Sequence, residues 1–386
     1  MKKSILFFHQ SAELYGSDKT LLYLVKDLKE NSDYNPIVVL PNEGDLTGAL
    51  NDLNISYITT PVLKLSRGMF RIKAFLKLPF QIIKSIKYIN RQIEGKEIVL
   101  IHSNTLAVLL GAIFAKIKGI NHIWHIHEII EHPHLAKIIY PRLVNVFSKT
   151  VIFNSVASQN SMCKSNVSLM KKSHVVWNGI NRNTEILCTE KIAQIKRGYN
   201  INPDNLVIGL VGRISRWKGH ELLLEAFNDL ADEFSNISLI FVGSIPPNQS
   251  IYKDKLETKI KDFNLQDKCL IIPFQKDIWN LYDIFDFTVV PSTEPEPFGL
   301  VSLEAMVSKK AVIGANHGGL KEIIKHNETG LLFEPNNKED LKLNLRVLIT
   351  DIKKRNKIAE KGYLNAMNNF SEKKYVSNII SLYETL

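Results

Sequence analysis

The chain has 386 residues, of which 45% are hydrophobic and 23% charged, and its formal net charge is +10. This balance is that of a globular protein of about two domains, and it excludes a disordered chain or a fibre. The three cysteines, Cys163, Cys188 and Cys269, are scattered, which argues against a disulfide framework or a thiolate zinc site and indicates a reducing compartment such as the cytoplasm.

The chain begins MKKSILFFHQ, a short apolar run without a long hydrophobic region or a small-residue cleavage site. We therefore interpret it as a first buried strand and not as a signal peptide. The longest apolar run, residues 106–115, is ten residues long, whereas a membrane span needs about 20. We expect a soluble or peripheral protein.

Short β-rich runs alternate with longer helical patterns in the first half, which predicts βαβ units around a parallel sheet. The predicted strands are 5–9, 36–40, 98–102, 123–127 and 151–154, and a helix is predicted over 17–30. Gly16 lies between the first strand and that helix. It would allow the backbone to approach an acceptor group or a phosphate closely, although the same residue also suits an ordinary βα turn.

The segment between Asp52 and Glu94 contains no acidic residue. Its eight cations are Lys64, Arg67, Arg71, Lys73, Lys77, Lys84, Lys87 and Arg91, and apolar residues alternate with them. This composition favours a helix lying in an anionic membrane surface, with Pro79 dividing it into two short helices. The alternative is an amphipathic helix that packs on the sheet and exposes its basic face to water. The whole charge excess lies in residues 1–180, with 22 basic against 12 acidic residues, which favours an anionic partner for that half.

Five histidines fall close together: His122, His125, His127, His132 and His134. The spacing of His125 and His127 would place both on one face of a strand, where a metal could use them. No other set of residues has metal-ligand spacing, and Asp-x-Asp is absent. We therefore favour a hydrogen-bonding role for His127 at a strand end and surface positions for His132 and His134.

The second half repeats the alternating pattern. Strands are predicted over 206–212, 237–243, 269–273, 287–291, 311–313 and 331–333, and helices over 220–232, 251–263, 300–308, 320–325 and 337–350. The tail 351–386 is predicted to be helical with a break near 370–371. Because the turn Asn178-Gly179 marks a boundary, we predict two Rossmann-like domains, 1–180 and 181–370, followed by a final helix, 371–386.

Arg213 and Lys218 are two of the three cations in the turn between the strand 206–212 and a helix. Two fixed positive charges beside a helix N-terminus suit a diphosphate group. The alternative is a pair of solvated cations on the surface.

A Pro-rich loop after the strand 287–291 contains Glu296 and leads into a helix that contains Glu304. The backbone N–H groups of Phe298, Gly299 and Leu300 would bind an anion or a hydroxyl oxygen. Glu304 has apolar neighbours in the sequence, which disfavours a solvated carboxylate and favours binding to a ribose or sugar hydroxyl. A third turn of this kind contains Gly318, which would permit close approach to a ligand or belong to an ordinary turn.

These motifs resemble the retaining GT-B glycosyltransferases of the glycosyl transferases group 1 (family four) set, over nearly the whole chain. Residues 296–304 resemble the family's Glu-x7-Glu motif, 211–219 its diphosphate-binding segment and 176–180 its domain junction. Residues 316–322 and 327–331 resemble the loops that follow, and 102–105 and 127–128 match the pattern of the first half. One segment departs from the family: Tyr15-Gly16-Ser17-Asp18 stands where two adjacent glycines followed by Ala-Glu are usual.

The resemblance implies an α/β GT-B fold, with two Rossmann-like domains facing across a cleft, the first binding the acceptor and the second a nucleotide-diphospho-sugar. It also implies that the final helix, 371–386, packs back on the first domain. Arg213 and Lys218 would hold the diphosphate, Glu304 the ribose and Glu296 the donor sugar, with His127 contacting that sugar from the first domain. The implied donor-binding set is Gly16, Arg213, Lys218, Phe274, Glu296, Phe298, Gly299, Leu300, Glu304 and Gly318. The reaction would retain the anomeric configuration without a metal or other cofactor.

The resemblance further implies a UDP-sugar more than a GDP-sugar, because UDP-sugars are the commoner donors in this family. Independently of the resemblance, we expect Phe274 to stack on the base. The membrane interpretation of the segment between Asp52 and Glu94, not the resemblance, leads to the acceptor: a saccharide or lipid-linked saccharide of surface polysaccharide synthesis, with the protein peripheral on the cytoplasmic face of the cell membrane. No nucleic acid is expected as a partner. Two alternatives share the architecture: a nucleotide-sugar 2-epimerase, which needs no acceptor, and a non-catalytic subunit that binds nucleotide sugars. The spacing of the two glutamates and the basic first half favour transfer over epimerisation, and the intact donor motifs argue against a non-catalytic subunit.

Overall fold

The computed structural model describes residues 3–63, 72–131, 134–164, 166–246 and 249–386, without the side chains of 72–77 and 134. The chain divides into two compact units. Residues 1–179 and 372–386 belong to the first unit and residues 180–371 to the second.

Within the described residues, the first unit is a seven-stranded parallel sheet with helices on both faces. Its strands are β1 (Lys3–Phe8), β2 (Tyr34–Leu40), β3 (Ser56–Thr59), β4 (Ile98–Ser103), β5 (Asn121–Ile126), β6 (Thr150–Phe153) and β7 (Ser173–Val175). Its helices are α1 (Gly16–Asn31), α2 (Asp45–Asp52), α3 (Ile72–Gln92), α4 (Leu110–Lys118), α5 (His134–Phe147), α6 (Val156–Cys163) and α7 (Val167–Met170), and the last helix of the chain also belongs here.

The strand order β3-β2-β1-β4-β5-β6-β7 places β1 in the interior of the sheet, between β2 and β4. Side chains of a strand alternate between the two faces. Ile5 and Phe7 accordingly pack against α1 and the last helix, whereas Leu6 and Phe8 pack against α3 and α4. Because every pair is parallel, the carboxyl ends of β1, β4 and β5 lie at the same edge of the sheet.

The second unit is a six-stranded parallel sheet, counted over its described residues, with the order β10-β9-β8-β11-β12-β13. Its strands are β8 (Leu206–Val211), β9 (Ile237–Val242), β10 (Cys269–Ile272), β11 (Phe287–Val290), β12 (Ala311–Ala315) and β13 (Leu331–Phe333). Its helices are α8 (Thr189–Gly198), α9 (His220–Ala231), α10 (Ser250–Asp262), α11 (Trp279–Ile284), α12 (Leu300–Val307), α13 (Leu320–Ile323), α14 (Lys338–Thr350) and α15 (Ile352–Asn369). The chain then returns to the first unit as α16 (Glu372–Glu384).

The predicted α/β fold class is confirmed, and each predicted strand coincides with an observed one to within two residues at its ends. The sequence pattern gives no bounds for β3, β7, α8 or α11, and among the helices before residue 180 it gives bounds only for α1. β3 buries only Ile58, β7 has three residues and α11 six, and α8 buries only Lys196, so none shows the buried apolar pattern from which an element is predicted.

One predicted break is wrong. Pro79 does not divide the basic segment into two helices, because a single helix, α3, runs through it. Proline removes one backbone donor and usually kinks a helix without ending it. The cations from Lys64 to Arg71 and the side chains of Lys73 and Lys77 lie outside the described residues, as do His132 and the side chain of His134. Among the described residues, none of the helices combines the length and apolarity that a membrane span needs.

Candidate active site

The turn after β8 carries the two predicted cations. Arg213 is exposed, whereas Lys218 is largely covered and extends its ammonium group to within 2.6 Å of Glu296 Oε1. The same ammonium group lies 4.2 Å from the centre of the Trp217 ring, a cation–π contact. Since β8 and β11 are neighbours in the sheet, the cation and the carboxylate come from adjacent strand ends.

Glu296 is buried, and its Oε1 accepts hydrogen bonds from Lys218 and from the hydroxyl of Ser292. A buried carboxylate is tolerated only when it is paired and hydrogen-bonded. The pair therefore fixes both side chains at the edge where β8 and β11 end. The Trp217 carbonyl, which accepts from the Thr293 backbone N–H at 2.8 Å, joins the same two loops.

Gly318 brings the loop after β12 against this carboxylate. Its φ is +59°, and a Cβ at this position would lie 2.3 Å from the Glu296 carbonyl oxygen. The Gly319 N–H donates to that oxygen at 2.8 Å, and His317 Nε2 donates to the Ser292 carbonyl at 2.8 Å. The close approach that Gly318 permits is thus to the Glu296 backbone, which positions the Glu296 side chain.

The start of α12 lies directly after Glu296. Phe298 is buried, Gly299 is the N-cap with φ +104°, and Leu300 is the first helical residue. No side chain caps this end of the helix. The N–H groups of a first helical turn have no partner within the helix and attract anions and oxygen acceptors.

Glu304, in the second turn of α12, is buried and accepts a hydrogen bond from the Tyr282 hydroxyl at 2.9 Å. Burial and the Glu304 charge together raise the pKa of Tyr282 well above its usual value, so this tyrosine stays a donor. Phe274 lies two residues beyond β10, at the other side of β9 from the Arg213 turn.

In the first unit, Gly16 begins α1 and His127 directly follows β5. Asp18, in the first turn of α1, accepts hydrogen bonds from His9 and Ser11 at 2.6 Å each. Asn104, which follows β4, lies between His9 and His127 and within hydrogen-bond distance of both. The sequence pattern singles out Gly16 and His127, and it includes Asn104 only as part of the family-like segment 102–105. It assigns no role to Asn104 or His9, because each acquires its role from its neighbours in space.

The histidines near this edge are deeply buried. Desolvation lowers the pKa of His127 to about 3 and that of His122 to about 4, and it holds the pKa of His102 and His125 well below 6.5. All four are therefore neutral at physiological pH. Over the part of the chain that the structure describes, no group of three or more His, Cys, Asp or Glu residues is placed to hold a metal ion.

Residues 191–365, within the second unit, match the family described as "Glycosyl transferases group 1". An uncharacterized glycosyltransferase of Methanocaldococcus jannaschii is 30% identical over 340 residues, which is 86% of each chain. For the first curated relatives, by contrast, the match spans about half of their length.

Two further similarities bear on ligands. N-acetylgalactosamine-N,N'-diacetylbacillosaminyl-diphospho-undecaprenol 4-alpha-N-acetylgalactosaminyltransferase of Campylobacter jejuni is 24% identical over 306 residues, 76% of this chain and 78% of that one. The crystal structure of HepE of Anabaena in complex with UDP and glucose superposes with a TM-score of 0.87 at 25% identity, over the full length of both chains. This similarity over the full length of the chain confirms the GT-B fold.

Proposed function

Because the chain belongs to the glycosyl transferases group 1 family, and is a glycosyltransferase, we propose that it transfers a sugar from a UDP-sugar to a lipid-linked saccharide with retention of configuration and without a metal. The observation that carries this proposal is the Lys218–Glu296 pair, at 2.6 Å, beside the uncapped start of α12. This arrangement supplies a cation for a diphosphate and oriented polar groups for a sugar. HepE, which binds UDP and glucose, supports the choice of donor.

Arg213 and Lys218 bind the donor diphosphate and stabilise the leaving group. As the bond between the sugar C1 and the phosphate oxygen breaks, negative charge develops on the diphosphate. Cations that are already in place stabilise that charge most effectively. Lys218 is held in place by Glu296 and Trp217, so it needs little reorganisation when the donor binds.

Glu296 and the N–H groups of Phe298, Gly299 and Leu300 orient the donor sugar, and Gly318 supports Glu296 from the neighbouring loop. Glu304 accepts hydrogen bonds from the ribose hydroxyls, and its hydrogen bond with Tyr282 fixes its rotamer. Phe274 stacks on the base. In the first unit, the turn at Gly16 contacts the substrate and His127 hydrogen-bonds to the transferring sugar.

Retention follows from attack on the face that the diphosphate leaves. The acceptor hydroxyl oxygen forms the new bond to C1 while the bond from C1 to the phosphate oxygen breaks. The hydroxyl proton passes to the departing phosphate. The negative charge that develops on the diphosphate is thus stabilised by Arg213 and Lys218 and reduced by the proton from the acceptor hydroxyl. The scheme uses no metal.

The direct test is binding and transfer in the presence of EDTA. A ligand at 100 times its Kd adds about 2.7 kcal/mol to the free energy of unfolding. Because the proposed donor is a UDP-sugar, UDP and one UDP-sugar should raise the melting temperature more than GDP or GDP-mannose does.

The transfer reaction is tested separately. With undecaprenyl-diphosphate-linked saccharide as acceptor, a product of retained configuration is expected at full rate in EDTA. Loss of activity in EDTA that Mn²⁺ restores would contradict the metal-free scheme. A changed sugar without an acceptor would indicate an epimerase, and binding without turnover a non-catalytic subunit.

The lipid-linked acceptor and the basic first half lead us to propose binding to the anionic cytoplasmic face of a membrane. The described residues support this through α5. Four of its apolar side chains are 42% to 68% exposed: Leu135, Ile138, Ile139 and Val146. This spacing places them along one side of the helix, where they are available to an apolar phase.

The charges around α5 are complementary to anionic lipid. No acidic residue lies between Glu131 and Glu185. The exposed cations in that segment are Arg142, Lys149, Lys164 and Lys171. Each cation near an anionic membrane surface contributes about 1 kcal/mol, and the exposed apolar side chains add burial in the headgroup region.

We expect the protein to co-sediment with vesicles of phosphatidylglycerol and phosphatidylcholine, less so as salt rises, and not with phosphatidylcholine alone. Replacing both Ile138 and Val146 with Ser should weaken this binding at least about tenfold, because each contributes apolar burial. The control is the same exchange at Ile352 and Leu364, which are 58% and 49% exposed on the second unit; it should leave binding unchanged. A wild type that ignores anionic vesicles at low salt would favour a soluble acceptor.

A further inference from the structure

Four buried side chains of the first unit form one continuous chain of hydrogen bonds, which runs from Asp18 through His9 and Asn104 to His127. The distances are 2.6 Å from Asp18 Oδ1 to His9 Nε2, 3.3 Å from His9 Nδ1 to Asn104 Nδ2 and 3.4 Å from Asn104 Oδ1 to His127 Nε2. The parallel order of β1, β4 and β5 brings these residues together, since His9, Asn104 and His127 follow those three strands.

The Asp18 carboxylate, at one end of this series of hydrogen bonds, decides which atom donates and which accepts. Asp18 accepts three hydrogen bonds, from His9, from the Ser11 hydroxyl and from the Tyr15 backbone N–H at 2.9 Å. The oxygens of a carboxylate accept hydrogen bonds and do not donate them. His9 therefore carries a hydrogen on Nε2.

A second acceptor fixes the amide of Asn104 independently. Its Nδ2 donates to the Ser17 carbonyl oxygen at 3.2 Å, as well as facing His9 Nδ1. A carbonyl oxygen can only accept, so the nitrogen of the amide lies on the His9 side. His9 Nδ1 is then an acceptor, and Asn104 Oδ1 is left facing His127.

The last hydrogen bond of the series decides which ring nitrogen of His127 carries the hydrogen. An amide oxygen can only accept, so His127 Nε2 donates to Asn104 Oδ1. Burial lowers the pKa of His127 to about 3, so at neutral pH the ring carries one hydrogen. The other ring nitrogen, Nδ1, is buried and has no hydrogen-bond partner among the described residues.

We propose that Asp18, His9 and Asn104 are positioning residues, which hold His127 with its hydrogen on Nε2 and so make Nδ1 an acceptor for a hydroxyl group of the substrate. The catalytic consequence rests on the proposed function, in which His127 contacts the transferring sugar. The tautomer itself does not depend on it. A neutral imidazole has one donor and one acceptor nitrogen, and the partner of one decides the role of the other.

Asp18→Asn should reverse this order. The oxygen of the new amide pairs with the Tyr15 N–H, which turns the nitrogen of that amide toward His9. His9 Nε2 must then accept, its hydrogen moves to Nδ1, and the Asn104 amide must rotate. His127 Nε2 would then face a donor, which moves its hydrogen to Nδ1. Asn104→Ala interrupts the chain at its centre and should leave His127 as a mixture of tautomers.

The tautomer is read directly by long-range ¹H–¹⁵N NMR of the full-length protein labelled with ¹⁵N-histidine, with His127→Gln used to assign the His127 signal. In the wild type we expect a hydrogen on Nε2 and an unprotonated Nδ1. Asp18→Asn and Asn104→Ala should each change that pattern and lower kcat by roughly 10- to 100-fold, as loss of an orienting partner does, with the affinity for UDP unchanged.

Ser11→Ala is the matched control, because Ser11 donates to the same Asp18 oxygen at the same 2.6 Å but lies outside the chain to His127. It should keep the tautomer and the rate. A wild-type His127 with its hydrogen on Nδ1 would overturn the proposal, whether or not the protein transfers sugar. A changed tautomer with an unchanged rate would overturn the positioning role and, with it, the proposed part of His127 in the reaction. If Asp18→Asn does not fold, Asn104→Ala decides.

Discussion

Replacing Lys218 or Arg213 with alanine is expected to lower kcat for sugar transfer by roughly 10²–10³-fold, the usual effect of removing one group that stabilises charge in the transition state. Lys218 is already oriented by Glu296, 2.6 Å away, and by the Trp217 ring. Its charge acts on the leaving diphosphate, so the loss should appear in kcat as well as in affinity for UDP. Steady-state kinetics at saturating donor measure it.

The ion pair complicates this experiment, because Lys218→Ala leaves the Glu296 carboxylate buried without its partner. Breaking a fully buried pair costs about 3–5 kcal/mol. We expect less here, since the Lys218 side chain is 16% exposed and water partly screens the remaining charge. The double variant Lys218→Met with Glu296→Gln removes both charges together. It should recover the melting temperature that Lys218→Ala loses, without recovering the rate.

Arg216→Ala is the control from the same loop. Arg216 is 60% exposed and pairs with Glu294, and such surface pairs contribute about 0–1 kcal/mol. Its kinetics should stay close to those of the wild type. If Lys218→Ala and Arg213→Ala both fold and transfer sugar within threefold of the wild-type rate, the assignment of the diphosphate to this turn is wrong.

The largest expected loss of stability from a single methyl group is at Gly219. Its φ is +73°, and a Cβ there would lie 1.9 Å from the Pro291 carbonyl oxygen. Left-handed backbone costs a residue with a Cβ roughly 1–2 kcal/mol, and forcing the contact apart adds typically 1–3 kcal/mol. Gly219→Ala should therefore lower the free energy of unfolding by about 2–5 kcal/mol.

Chemical denaturation of the whole chain, followed through the second unit, measures this loss. Gly198→Ala is the matched control, because a Cβ on Gly198 meets nothing within 4 Å at the end of α8. That exchange should be neutral or stabilise the protein by up to about 1 kcal/mol. Equal midpoints for the two variants would show that the turn after β8 can move away from Pro291. The Lys218–Glu296 distance would then not be fixed by this contact.

The alternation of short apolar strands with helical patterns was enough to predict the α/β fold class and the positions of most elements. Strand positions are readable because the buried strands of a parallel sheet are continuous apolar runs, such as the segment that became β9 (Ile237–Val242), whose six residues are all buried. The same reasoning fails for α11 and α8, whose burial is decided by neighbours far away in the chain. The family resemblance could be recognised for a different reason. Glu296 and Glu304 lie on a loop and the helix that directly follows it, so their spacing is visible in the sequence.

The partners of the candidate site residues are a matter of tertiary structure. The sequence places Lys218 and Glu296 78 residues apart, and it assigns one to a phosphate and the other to a sugar. Only the pairing of β8 with β11 makes them each other's partner. Likewise, the glycine at 318 is visible in the sequence, but its contact with the Glu296 backbone is not.

The hydrogen bonds that link Asp18, His9, Asn104 and His127 depend most strongly on the tertiary structure. Asp18 and His9 are close in sequence, but Asn104 and His127 reach them because β1, β4 and β5 are adjacent in the sheet. By itself, therefore, the sequence determined which segments form buried strands and which of those strands are followed by polar turns, because hydrophobic periodicity is a local property. Which polar groups meet at those turns, and in which direction each hydrogen bond runs, was decided by strand order, because hydrogen bonds depend on distances that only the folded chain fixes.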